Sequence, residues 1–160
     1  MAPSIDEVLQ IVDPTRFSIA LSELIARSPR GFAESRPAER VAWCVSELEA
    51  EVHNGGFSLF FMNSAGDLAA ETADALGRIG AYKTMALVKE AMAVFPPPGP
   101  AAARQSREAQ LKALPASARA IWDRLDKAQT DRIVFIIFGE EFLNNGRESW
   151  QFGDSAILNS

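Results

Sequence analysis

The sequence predicts an all-α fold, a single compact multi-helix domain with a proline-rich surface connection. Three observations carry this. Apolar residues recur at steps of three and four almost throughout, which is the period of one helix face. Clusters of Asn, Gly and Pro cut that pattern into segments of helical length. The chain has 160 residues, 48% of them apolar and 23% charged, which is ordinary globular usage and enough for one core.

Ile5, Val8, Leu9 and Val12 form the first stripe. Asp13-Pro14 interrupts it, because proline disfavours helical backbone in the residue before it. Phe17, Leu21, Leu24 and Ile25 resume the period, and Ser28-Pro29-Arg30-Gly31 reads as a loop. The clearest helix follows. Ser35 is its expected N-cap and Pro37 falls in its first turn, where a missing N–H costs little. Val41, Cys44, Val45, Leu48 and Val52 lie on one face, and Glu47, Glu49 and Glu51 on others. Asn54-Gly55-Gly56 ends the stripe with residues that accept left-handed backbone. The glycines let a second, short helix start at a sharp angle, with Phe57, Phe60 and Phe61 at i, i+3 and i+4. Asn54 and Asn63 stand at its two ends, where their side chains can bond exposed backbone groups.

Asp67 is the expected cap of the next helix, with Leu68, Ala75, Leu76 and Ile79 on its apolar face and Gly80 as its stop. Tyr82, Met85, Ala86, Val88, Met92 and Phe95 give another. Pro96-Pro97-Pro98-Gly99-Pro100 cannot be helical and favours extended polyproline geometry. It reads as a surface loop over 96–103 inside one domain spanning 1–160, since the 60 residues beyond it make a thin core alone. Leu111 and Leu114 mark a short charged helix, and Ile121, Trp122 and Leu125 the next. Thr130 is the expected cap of a last helix containing Ile133–Phe138, ended by Asn144-Asn145-Gly146. The tail, Arg147–Ser160, has no clear period.

Composition excludes several classes. The charge sum is −5, which argues against a nonspecific grip on nucleic acid. Residues 1–50 carry net −3, 51–100 net −2 and 101–160 net zero, so the acidity belongs to the first 100 residues. One cysteine, Cys44, excludes an internal disulfide, and one Cys with one His does not suit structural zinc. The start of the chain lacks the basic and apolar stretches of a secretory signal, and the longest strictly apolar run, Ile133–Phe138, is far short of a bilayer span. A soluble cytoplasmic protein is expected.

Few residues suit chemistry. His53 is the only histidine; Cys44 lies nine residues away on the apolar face, so a Cys–His pair is not expected. Glu47 with Glu51, and Glu49 with His53, stand four apart, a spacing that could ligate a metal, but the several-helix carboxylate pattern of dicarboxylate bundles is absent. The glycines form no phosphate-binding motif. No catalytic residue, metal or cofactor is expected. The three phenylalanines are core, or else a partly exposed interaction hot spot.

The stretch Leu48-Glu49-Ala50-Glu51-Val52-His53-Asn54-Gly55-Gly56-Phe57-Ser58-Leu59-Phe60-Phe61-Met62-Asn63-Ser64-Ala65-Gly66 resembles the hallmark of the Neisseria-type acidic DNA-mimic protein family. Leu76, Gly80 and Phe95-Pro96 continue the likeness, which covers roughly residues 35–96, with a weaker match at Leu125-Asp126. The resemblance implies an all-helical domain without catalysis. It also implies a protein partner, a DNA-binding transcription regulator whose DNA site is occupied by surface carboxylates. Within the motif only Glu49 and Glu51 are acidic. The candidate interaction or fold-motif residues are therefore Glu47, Glu49, Glu51, His53, Asn54, Gly55, Gly56, Phe57, Phe60, Phe61 and Asn63. The alternatives are an immunity-type protein that neutralises a toxin and a small metal-dependent enzyme built on Glu47, Glu51 and His53.

Overall fold

The computed structural model describes residues 32–35 and 37–130, and ahead of them residues 4, 7, 8, 10, 11, 13, 16, 19, 20, 23 and 24. The helix expected around Ile133–Phe138, its Asn144-Asn145-Gly146 stop, the tail 147–160, the Ser28–Gly31 loop and much of the first two stripes lie outside the described residues. Every regular element among the described residues is helical. In order they are a 3₁₀ turn at Phe32–Glu34, α1 at Pro37–Met62, a 3₁₀ turn at Ser64–Leu68, α2 at Ala69–Arg78, α3 at Tyr82–Met92, α4 at Arg104–Ala113 and α5 at Ala116–Thr130.

α1 is two helices joined at a break. Gly55 has φ −167° and ψ 22°, and Gly56 has φ 70° and ψ −169°. Gly55 is therefore extended backbone open to any residue, whereas Gly56 sits where a side chain is strained. The chain turns back sharply enough that the Asn63 amide donates to Glu51 Oε2 at 2.9 Å. Val41, Val45, Leu48 and Val52 of the first half and Phe57, Phe60 and Phe61 of the second are all buried. Phe61 is the hub of an aromatic cluster, with ring centroids 4.9 Å from Phe95, 5.1 Å from Phe60, 5.3 Å from Trp122 and 6.3 Å from Phe57. Each fully buried phenylalanine contributes roughly 2–3 kcal/mol, and each ring pair adds about 1 kcal/mol. The phenylalanines are core.

α2 ends as expected. Gly80 has φ 73°, the Ala81 N–H donates to the Leu76 carbonyl at 2.9 Å and the Gly80 N–H to the Gly77 carbonyl at 3.2 Å. This pair of bonds is the Schellman stop. α1 packs against α2, α4, α5 and the 3₁₀ turn, and α3 against α2 and α5. The helices after the proline segment thus share the core of those before it.

Four expectations are corrected. Pro96–Gly99 closes a tight turn and is not extended polyproline geometry, with a cis Pro97–Pro98 peptide and the Gly99 N–H donating to the Pro96 carbonyl at 2.9 Å. Thr130 is helical, the last residue of α5, and not a cap. Tyr82 is 62% exposed and Ala86 is exposed, because the buried face of α3 is Thr84, Val88 and Ala91. Asp67 does not cap α2, whose N-cap residue is Leu68 with no side-chain bond. Its carboxylate has another partner, described next.

Candidate functional site

The end of α1, the turn after it and the start of α4 are drawn together by one side chain. α4 is a polar helix, yet Arg107 lies on the same face as Leu111 and Leu114, at i, i+4 and i+7. That places a guanidinium where an apolar side chain would sit, and it is fully buried. All five of its N–H donors are used. Nε donates to the Phe61 carbonyl at 2.7 Å, Nη1 to the Ala101 and Ala102 carbonyls at 2.8 and 2.9 Å, and Nη2 to the Asn63 carbonyl at 2.9 Å and Asp67 Oδ1 at 2.6 Å. Gly66 makes room for it. A Cβ there would stand 2.8 Å from Arg107 Nε and 2.9 Å from the Phe60 carbonyl. The Asn63-to-Gly66 part of the motif is thus the cradle of a buried arginine.

The Gly-Gly part has its own partner. Asp126 of α5 accepts the Phe57 N–H at 2.9 Å through Oδ1, capping the second half of α1 from across the fold. A Cβ on Gly56 would fall 2.0 Å from Asp126 Oδ2. Burial raises the Asp126 pKa against the lowering effect of that N–H, with Asp123 adding to the rise. Asn54, expected to cap this helix, is exposed instead, and Asn63 bonds Glu51 rather than a helix end.

The expected acidic residues do not form one charged face. Glu47 and Glu51 share a side of α1, and Glu49 lies elsewhere around it. All three are half-buried. Burial, then the neighbouring Glu51, raises the Glu47 pKa. Burial pushes the Glu49 carboxyl up to about 8, so it holds its proton at neutral pH. Glu49 is therefore corrected as a candidate anionic contact. His53 is exposed, and Cys44 is 2% exposed with its thiol pushed up to about 11 by burial, so α1 does not bring them together. Among the described residues no three His, Cys, Asp or Glu side chains gather closely enough to hold a metal ion.

Exposed carboxylates stand on α2. Glu71 and Asp74 are exposed, one turn apart on its outer face, and neither makes an ion pair among the described residues. Beneath them lies an open cavity of about 250 Å³ between the first 3₁₀ turn, α1 and α2. Its rim also carries Arg40, whose guanidinium sits 4.8 Å above the Phe32 ring, and Arg78.

A family model described as DMP19-like protein matches residues 33–133, well over half of the chain. The chain belongs to the DMP19-like protein family. The matched span includes the motif, the Arg107 clasp and the Asp126 cap. The DMP19-like motif is fold-making in this chain: its glycines admit Asp126 and Arg107, and its phenylalanines build the core. No curated protein and no solved structure matches the chain.

Arg107 and Asp126 were not among the residues expected to matter. The 107/111/114 spacing was the available signal for the first. For the second it was the Leu125-Asp126 likeness beside buried Trp122. In this DMP19-like body the surface charge is mixed. Among the described residues of 32–130, five exposed carboxylates face nine exposed cations, because most acids there are half-buried.

Proposed function

We propose that this chain is a noncatalytic protein-interaction module of the DNA-mimic type, acting in the cytoplasm on a DNA-binding regulator. It docks through Glu71 and Asp74 on the outer face of α2. The observation that carries this, beside family membership, is their state: exposed and unpaired among the described residues, on a helix whose other side is buried. A mimic must hold anionic charge at fixed positions, and a carboxylate on a well-packed helix does so. Glu49 is a poor contributor, since a protonated carboxyl carries no charge to present.

The test is affinity capture from the native lysate, with the bound proteins challenged by excess duplex DNA and by rising salt. The expected result is a regulator that DNA displaces and that salt weakens. Glu71→Gln with Asp74→Asn should abolish capture, whereas Glu49→Gln leaves it intact. A captured regulator that excess DNA does not displace would remove mimicry from this reading.

A further inference from the structure

We propose that the cavity between α1 and α2 is a binding site for a small zwitterion of the aliphatic amino-acid class. This site stands independently of the partner reading above, although the two share Glu71 and Asp74. Two carboxylates, Glu71 and Asp74, and two guanidiniums, Arg40 and Arg78, line the same cavity. No two of them form an ion pair, although Asp74 and Arg78 are four apart on one helix face, where such pairs commonly close. Opposite charges that share one cavity without pairing suit a ligand that carries both signs.

The lining also holds apolar groups: Val41, Cys44 and Ala75 are buried side chains of the two helices. The Cys44 thiol adds to this, since its raised pKa keeps it neutral and unreactive. A ligand ammonium pairs with Glu71 and Asp74, its carboxylate with Arg40 and Arg78, and its side chain covers the apolar surface. Arginine suits the carboxylate end, because its fork accepts two oxygens at once. The volume, about 250 Å³, lies just below the range of drug-sized pockets and so suits a small molecule.

The test is a titration of the full ¹⁵N-labelled chain with L-leucine, alongside leucinamide, which lacks the carboxylate, and 4-methylpentanoate, which lacks the ammonium. The expected result is saturable shifts at the amides of residues 40–44 and 71–78 with leucine. Each analogue should bind about tenfold more weakly, the loss of one charge-assisted contact. Arg78→Gln and Asp74→Asn, both exposed and so neutral for folding, should each weaken leucine about tenfold. Three results would each overturn the proposal: no saturable shift up to the solubility limit of leucine, equal binding of the one-charge analogues, or affinity indifferent to both substitutions. No partner is present in the titration, so its failure leaves the DNA-mimic reading standing.

Discussion

Arg107, fully buried, and Glu49, half-buried, are two ionisable groups handled in opposite ways. Arg107 has every donor matched and a carboxylate beside it, so its burial is compensated. Arg107→Met takes a donor from four carbonyls and from Asp67, and of the carbonyls Asn63 keeps the Gly66 N–H. Asp67 keeps 42% of its side chain exposed, so the cost falls on the buried carbonyls, about 1–3 kcal/mol for each left unsatisfied, and the melting temperature should fall by several degrees. A variant melting within a degree or two of the parent would show that solvent readily replaces the guanidinium. Glu49 is treated the other way: it gives up its charge. Its folded pKa, about 8, lies above the unfolded value near 4.5. The folded state therefore binds the proton more tightly. Stability from this group is whole below the unfolded value, declines as pH rises, and is lost by about pH 8. Glu49→Gln should remove that slope. Thermal melts from pH 5 to 9 should show the two proteins close at the acid end and the variant more stable at the alkaline end. Parallel curves would mean that the Glu49 carboxyl is solvated.

At the scale of elements, the break in α1 decides the arrangement. Gly56→Ala forces a Cβ into left-handed backbone and onto the Asp126 carboxylate, so it should cost about 2 kcal/mol or more in chemical denaturation. Gly55→Ala should cost less, since its backbone is extended, although its Cβ would stand 2.9 Å from Leu59 Cβ and the helix would have to shift slightly. Equal costs at the two positions would sink this account of the kink. The break, the Gly80 stop and the buried phenylalanines were all legible, because glycine punctuation and helical spacing are local signals. Partners far apart in the chain were not. Asp67 reads as a cap until Arg107, forty residues on, takes its carboxylate. Asn63 reads as a helix-end residue until the chain doubles back on Glu51. The charged α4 reads as a solvated helix, and only the 107/111/114 spacing betrays an inward face. The raised Glu49 pKa has no sequence trace, because desolvation comes from what packs around a side chain.

At the scale of the whole molecule, the formal charge misleads about the surface. The −5 of the chain is not displayed by the described body, whose exposed cations outnumber its exposed carboxylates. Any mimicry by this body is therefore local, held on a patch such as α2, and not a field spread over the molecule. The Arg107 clasp also binds the fold in time. The carbonyl of Phe61 waits for a donor 46 residues further on, so a chain emerging at about 5–20 residues per second leaves it to water for seconds. Phe61 meets Trp122 over a still longer stretch of chain, so range does not order the two. The clasp is expected to close after the aromatic core because its five directional hydrogen bonds need the final alignment of the elements, whereas apolar contact is non-directional. Arg107→Met should then hasten unfolding while leaving the refolding rate nearly as it was, which stopped-flow measurements can separate. A refolding rate that falls with stability would place the clasp at the start of folding. With the clasp late, Arg107 acts as a lock on a door that the phenylalanines have already shut, setting how long the native state lasts rather than how fast it is reached.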